Sequence, residues 1–584
     1  MSDEQSAGAV DIDRWITDWE FSSRYPVYTR ANAGEVLPDP SSPLNVTMVW
    51  NKGLNIGWRQ GYVDNLGTHL AEEIDEVMPE IIGNFGGYHY TNFSMTELNG
   101  ARLPGLTVPV WNSLWVGDHP DIPEYVPKPG DENAELTAGL AEKTAWALTT
   151  DEFPEAEEAK RRADRARDQR PDLAAMSDAE LVEHARSLLP DLIYCYAYHP
   201  VTTTLSTMGP AVAGQLLETI GEADNLGDLL SGLGGVDSAA PSYAMWKLGR
   251  LVAGSSELTG IFDDGLASAL DAITASDSAD AAKFREEFDD FLYRYGSRAP
   301  NEWDIRSDSW ETKPVLALMA INGMRNSPPE ADPEAILRRN QDKRLALTEE
   351  LAAKMPDAES ATAFRNAAKS ITKFMPWRER TKTACVKIMG EMRAALYELG
   401  HRMVGRGIMD DHHDITMLVD DELDRFVAEP ESFADTIKER REQYLALFDL
   451  QPPFFLFEPL PLSQWPRRTG QRVDPAVPGD VLSGVGGAPG VARGRARILH
   501  DPYEAEQLEE GDILVAPQTD PAWTPLFVFA GGVVVNVGAT ITHSSIVCRE
   551  LGIPCAVSVQ DATARIPDGA MIEVDGNTGS VTIL

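Results

Sequence analysis

Between Glu135 and about Phe448, apolar positions recur with a period near 3.6, the spacing of amphipathic helices. Ser177 and Glu180 form a capping box ahead of Leu181, Val182, Ala185, Leu188 and Leu189, which predicts a helix start there. Further amphipathic segments run over Ala281–Tyr295, Pro333–Lys354 and Lys382–Arg402. Residues 1–130 differ: aromatics, glycine, proline and asparagine dominate, predicting short strands and loops rather than long helices. Pro452–Pro478 has weak periodicity and several prolines, and predicts a semi-rigid hinge. Beyond it, residues 479–584 are glycine- and valine-rich and compact in pattern. The pattern therefore predicts a multidomain α+β chain: a β-containing part over 1–130, a largely helical region over 131–451, a hinge over 452–478, and a small α/β domain over 479–584.

The last domain holds the most informative stretch. Gly531–Val537 reads as a strand, a small-residue turn follows, and His543 opens a helix. Ile546, Val547 and Leu551 supply its apolar stripe, with Arg549 and Glu550 expected to point away. Gly552 and Pro554 stop it. A histidine at a helix start faces unpaired backbone N–H groups and the positive end of the dipole. That end disfavours the imidazolium and favours an incoming anion. A neutral imidazole nitrogen beside an anion site suits a phosphoryl-accepting nucleophile. His543 is the predicted phosphohistidine, with Thr542, Ser544, Ser545 and Thr519 as candidate phosphate contacts.

Composition narrows the picture. The 584-residue chain is 43% hydrophobic and carries a net charge of −41, spread along its length. That charge argues against nucleic acid and anionic membranes as partners. Cys195, Cys385, Cys548 and Cys555 show no metal-ligand spacing, and reduced thiols in core positions are expected. Residues 1–13 show neither the basic nor the apolar region of a signal peptide, and no stretch reaches the length of a membrane span. A cytoplasmic location is the expectation. His412 and His413, set between Asp410-Asp411 and Asp414, read as a turn before a helix, and no metal site is expected. There is no Walker-type loop and no recognisable ATP-grasp site.

Residues 538–554 resemble the signature of the swivelling phosphohistidine domain of phosphoenolpyruvate-utilising enzymes, with His543 on the phosphorylated position. Thr519–Leu526 and Gly484–Arg497 resemble two further motifs of that domain; the departures are Ala539 for a glycine and Ser544-Ser545 for a small pair. Upstream, Asn32–Pro38 with Ser42-Pro43-Leu44, Phe85–Asn92 and Tyr295–Ile305 are similar to acceptor-domain motifs of rifampicin phosphotransferases. Trp377–Gly400 and Gly407–Glu422 follow the same pattern. Ser297 stands where that family has histidine, so an acid–base role there is in doubt. The layout also resembles the histidine-bearing subunit of phenylphosphate and cresol phosphate synthases.

The resemblance implies a dikinase-type phosphotransferase. ATP and Mg²⁺ would bind a separate ATP-grasp subunit, releasing AMP and phosphate as His543 is charged. A swing on the 452–478 hinge would then carry the phosphoryl group to a small hydroxylated acceptor, a phenol or cresol. Candidate acceptor-site residues are Arg298, Glu302, Asp304, Arg378, Arg380 and His199: arginines for phosphoryl oxygens, a carboxylate to take the hydroxyl proton. Arg378 and Arg380 are read as lying near a helix start. Three alternatives stay open: an antibiotic phosphotransferase, a phosphoenolpyruvate synthase relative, and a non-catalytic phosphohistidine carrier.

Overall fold

The computed structural model describes residues 13–76, 80–116, 119, 121–327, 329–468, 474–500, 507–519, 523–538 and 542–584. Helices dominate the middle, as the periodicity predicts: Ala279–Tyr295, Pro333–Lys354 and a 48-residue helix, Ala358–Gly405. Ser177 and Glu180 cap Asp178–Ser187 reciprocally. The long helix is the spine of the molecule. It packs on Pro154–Asp168, Asp178–Ser187 and Leu189–Ser206, and its Phe374–Met403 stretch feeds the largest core.

The first 130 residues are more helical than their composition suggests. Asn45–Leu54, Asn55–Gln60 and Gly61–Leu66 form one continuous run of π- and α-helical turns, and Phe93–Arg102 and Val108–Val116 add two helices. Glycine in this run does not mark turns. Gly57 and Gly61 let the run press against the helix Leu189–Ser206, where a Cβ on Gly57 would stand 2.5 Å from Tyr196 Cβ and 2.6 Å from the Ile193 carbonyl. Tertiary contact thus overrides glycine's low helix propensity. The β content is a four-stranded antiparallel sheet in the order Ile82–Phe85, Tyr88–Asn92, Tyr28–Thr29, Phe455–Leu456.

That last strand corrects the hinge. Phe455–Leu456 pairs with Tyr28–Thr29, and Leu462 and Trp465 are buried in the main core. Residues up to Arg468 therefore belong to the first body, whereas Ala476 already donates to the Arg565 carbonyl of the last domain. Prolines here shape an edge strand and its approach rather than a free spacer. Residues 469–473, within the predicted hinge, lie outside the described residues.

The last domain is an eight-stranded mixed sheet. Its order is Val481–Ser483, Ser580–Ile583, Met571–Asp575, Val491–Ile498, Ile513–Ala516, Gly532–Val535, Cys555–Val557, Val485–Ala488. Val491–Ile498, Ile513–Ala516, Gly532–Val535 and Cys555–Val557 run parallel, the rest antiparallel. Period-two alternation divides its valines: Leu514, Val533 and Val535 face one core, Ile513, Val515 and Val534 the other. Among the described residues no helix is long and apolar enough to cross a membrane.

Candidate functional site

His543 opens the nine-residue helix His543–Leu551 directly after an extended Thr542, and Gly552 ends it in the left-handed conformation at φ 71°. All nine residues are buried. Val547, Cys548 and Leu551 pack on the domain's own sheet, while Ile546 turns the other way into a cluster with Leu229, Leu233, Leu351 and Ile371 of the helical region. The helix is therefore sandwiched. Arg549 and Glu550, predicted to face water, are 4% and 1% exposed. An amphipathic stripe on a short helix cannot reveal that a second body covers its polar face.

Glu550 makes the contact between the bodies. Its carboxylate accepts from the backbone N–H of Leu233, 2.8 Å, and of Gly234, 3.3 Å. Burial raises its pKa above the usual carboxylate value while these N–H bonds hold it down. The loop it grips, Gly232–Gly235, has positive φ at Gly232, Gly234 and Gly235. At Gly232 a Cβ would also meet the Asn340 backbone at 2.5 Å, so glycine is required. Asn340 Nδ2 in turn donates to the Arg549 carbonyl at 3.4 Å. Burial lowers the Arg549 guanidinium to about 10.

Around His543 the hydroxyls are close and dry. His543 Nε2 shares a hydrogen bond of 3.0 Å with Thr524 Oγ1, and the Phe527 ring lies 6.3 Å from the imidazole. Thr542 Oγ1 and Ser544 Oγ are 3.3 Å apart, and Thr542, Ser544, Ser545 and Thr519 are all buried. Ser545 faces Gly487, whose missing side chain leaves room for its hydroxyl. Thr524 is the residue that the sequence reading passed over, although it stands inside the Thr519–Leu526 motif. Asp520, Pro521 and Ala522 of that motif, and Ala539, Thr540 and Ile541 of the turn, lie outside the described residues.

The acceptor candidates separate into three places. Arg298 donates to Glu302 Oε1 at 3.0 Å and to Thr383 Oγ1 at 2.5 Å, and Lys382 Nζ stands 3.5 Å from Glu302; Arg298 and Glu302 are almost fully buried. His199 joins this group: its Nδ1 is 3.1 Å from Thr381 Oγ1, and burial with the nearby Arg378 and Lys382 charges lowers its pKa to about 3. Asp304 does something else. It accepts from the backbone and hydroxyl of Ser42, 2.7 Å each, and from the Arg306 N–H at 2.8 Å, so it ties two of the family-like motifs together. Arg378 and Arg380 lie in the middle of the 48-residue helix, not near its start; Pro376 is carried within it. Two residues apart, they face different sides. Arg380 pairs with Glu157 and lines a cavity of about 480 Å³ with Phe153, Trp377, Gly234 and Gly235. One wall of that cavity is thus the loop that Glu550 holds.

Comparison with known proteins finds matches to two stretches of the chain. Residues 199–379 match the model described as the rifampicin phosphotransferase fourth domain, and residues 508–579 match that of the PEP-utilising enzyme mobile domain. The chain is 32% identical over 307 residues to the rifampicin phosphotransferase of Bacillus subtilis (strain 168), covering 52% of this chain and 35% of that protein. It is 33% identical over 336 residues to the rifampicin phosphotransferase of a Streptomyces species, covering 56% and 37%. It is also similar to chondramide synthase cmdD of Chondromyces crocatus, 29% identical over 369 residues, which is 9% of that protein. The chain thus matches little more than a third of the length of the rifampicin phosphotransferases.

Proposed function

We propose that this chain, matched over its helical and last regions to rifampicin phosphotransferase and PEP-utilising models, relays a phosphoryl group through His543 to an acceptor hydroxyl. The acceptor proposed is a bulky, antibiotic-like molecule. The similarity to rifampicin phosphotransferases supports this alternative over the phenol or cresol that the resemblance to phenylphosphate and cresol phosphate synthases implied. One observation carries the reading. The His543 helix grips, through Glu550, the loop that walls a cavity of about 480 Å³. That volume falls in the range of about 300–1,000 Å³ typical of pockets for drug-sized ligands. Phe153 and Trp377 supply an apolar surface and Arg380 a cation.

The chemistry proceeds in two half-reactions. An imidazole nitrogen of His543 attacks the β-phosphorus of ATP, forming a P–N bond as the P–O bond to AMP breaks; water then attacks the outer phosphorus, the P–O–P bridge breaks and phosphate leaves, so that one phosphoryl group stays on His543. ATP and Mg²⁺ are proposed to bind an ATP-grasp subunit separate from the residues described, with AMP and phosphate as by-products. Mg²⁺ there would neutralise the phosphate charge. The acceptor oxygen then attacks the phosphohistidine, the P–N bond breaks, and the hydroxyl proton passes to a base. Glu157, paired with Arg380 on the wall of the cavity, is the proposed base, and Arg380 would receive phosphoryl oxygens; the Arg298–Glu302–Lys382 cluster lies outside the cavity lining. Splitting the transfer in this way lowers the barrier of each part, and positioning supplies much of the rate.

Intact-mass spectrometry under alkaline conditions tests this. The chain, Mg-ATP and an ATP-grasp partner should give one added phosphoryl group, absent in His543→Ala. Rifampicin should discharge it and 4-cresol should not. Discharge by 4-cresol alone would return the reading to the aryl phosphotransferase, and phosphorylation of His543→Ala would remove His543 from the mechanism.

A further inference from the structure

His412 and His413 stand in a turn after the long helix, and Asp308 reaches them from a loop more than a hundred residues away in sequence. One ligand atom from each of the three lies within 4.8 Å of the others. His413 Nε2 is 3.2 Å from Asp308 Oδ1, the separation of neighbouring ligands that each sit about 2.0–2.2 Å from one ion. On its other side, His413 Nδ1 meets Asp411 Oδ1 at 2.6 Å. A carboxylate on the far nitrogen is the arrangement that fixes the tautomer and orientation of a metal-bound imidazole. The His412 ring is equally fixed, stacked on His401 at 4.1 Å and set edge-on to Tyr397 at 4.7 Å. All three donors are partly exposed, so an ion and its remaining water ligands can reach them.

We propose that Asp308, His412 and His413 form a binding site for a borderline divalent cation of the Zn²⁺ class. Two imidazoles and one carboxylate suit Zn²⁺, Co²⁺ or Ni²⁺ and not the all-oxygen preference of Mg²⁺ or Ca²⁺. Asp411 is the positioning residue. The cations nearby do not occupy the ligand atoms: Arg306 donates to the His413 carbonyl at 2.7 Å, and Lys313 Nζ is 3.9 Å from Asp308 Oδ2. The ion would clamp the loop that follows Glu302 and Asp304 to the turn after the spine helix. It would act as a structural clip next to the acceptor region, away from His543.

The test is a titration of the full chain, stripped with a chelator, with Zn²⁺ by calorimetry and with Co²⁺ by visible absorption. One equivalent should bind, and Co²⁺ should give ligand-field bands. Asp308→Asn and His412→Asn should each weaken binding by more than about tenfold, and Asp411→Asn by about tenfold. Asp410→Asn, at an exposed carboxylate outside the cluster, should retain stoichiometric binding and serves as the folding control. No stoichiometric binding by the native chain would overturn the site, leaving His413 as an imidazolium bridging Asp308 and Asp411. Undiminished binding by an Asp308→Asn/His412→Asn double variant with native circular dichroism would overturn it equally.

Discussion

At the scale of single residues, the hydroxyl of Thr524 and the carboxylate of Glu97 carry the clearest consequences. Thr524 Oγ1 holds His543 Nε2 at 3.0 Å in a buried site, so it fixes the ring proposed above to meet phosphorus. Thr524→Val keeps the shape and removes that bond, whose net worth is about 1 kcal/mol. Phosphohistidine formation should slow roughly fivefold, with the melting temperature little changed; an unaltered rate of mass gain would show that the bond does not position the ring. Glu97 is buried and accepts from the neutral Asn112 Nδ2, 3.1 Å away; desolvation lifts its pKa from 4.5 to about 7, outweighing that bond and the Lys128 charge. The folded chain then holds a proton that the unfolded chain has released. Its contribution is fully present below pH 4.5 and lost as the pH rises through about 7. Glu97→Gln should remove this loss, raising stability above pH 7 by about 2 kcal/mol with no gain at pH 4, as measured by urea unfolding at both pH values.

At the scale of elements, close approach of backbones governs the N-terminal half. The run Asn45–Leu66 lies against Leu189–Ser206 because Gly57 and Gly61, one turn apart, present no side chain. The blocking atom at Gly57 is partly the Ile193 carbonyl, which cannot rotate away. Gly57→Ala should therefore destabilise by about 3 kcal/mol although alanine is the better helix former; a stabilised variant in chemical denaturation would mean that the two helices can slide apart without cost. The same reasoning explains why composition misled in this stretch. Glycine and asparagine mark loops only where nothing packs on them.

At the scale of the molecule, the docked histidine domain is held by an apolar residue and a carboxylate on one helix. Ile546 enters the helical region's cluster, and Glu550 caps the Leu233 and Gly234 N–H groups. Ile546→Asp sets a charge in that cluster and leaves Val547, Cys548 and Leu551 of the domain's own core untouched. The domain should undock while staying folded. Small-angle scattering should report a larger radius of gyration, and Glu550→Gln should give a smaller change in the same direction. An unchanged radius in Ile546→Asp would show that other contacts, such as Phe529 against Gly323, suffice to hold the bodies together.

His543, its helix and the glycine that ends it were all legible in the chain, because a strand, a small-residue turn and a capped amphipathic helix are local patterns. So were the middle helices and the buried, unpaired cysteines, since periodicity and spacing are properties of neighbouring residues. The partners of those residues were not. Thr524 lies close in sequence to His543 yet meets it only through the fold. Arg298 and Glu302 met Lys382, and Asp304 met Ser42, only once distant segments were brought together. The burial of Glu550 and Arg549, and the convergence of Asp308 with His412 and His413, depend on which body covers which face. Sequence determines what each segment can bury; tertiary structure alone decides against what it is buried, and with that which charges are paired, shifted or left to bind something else.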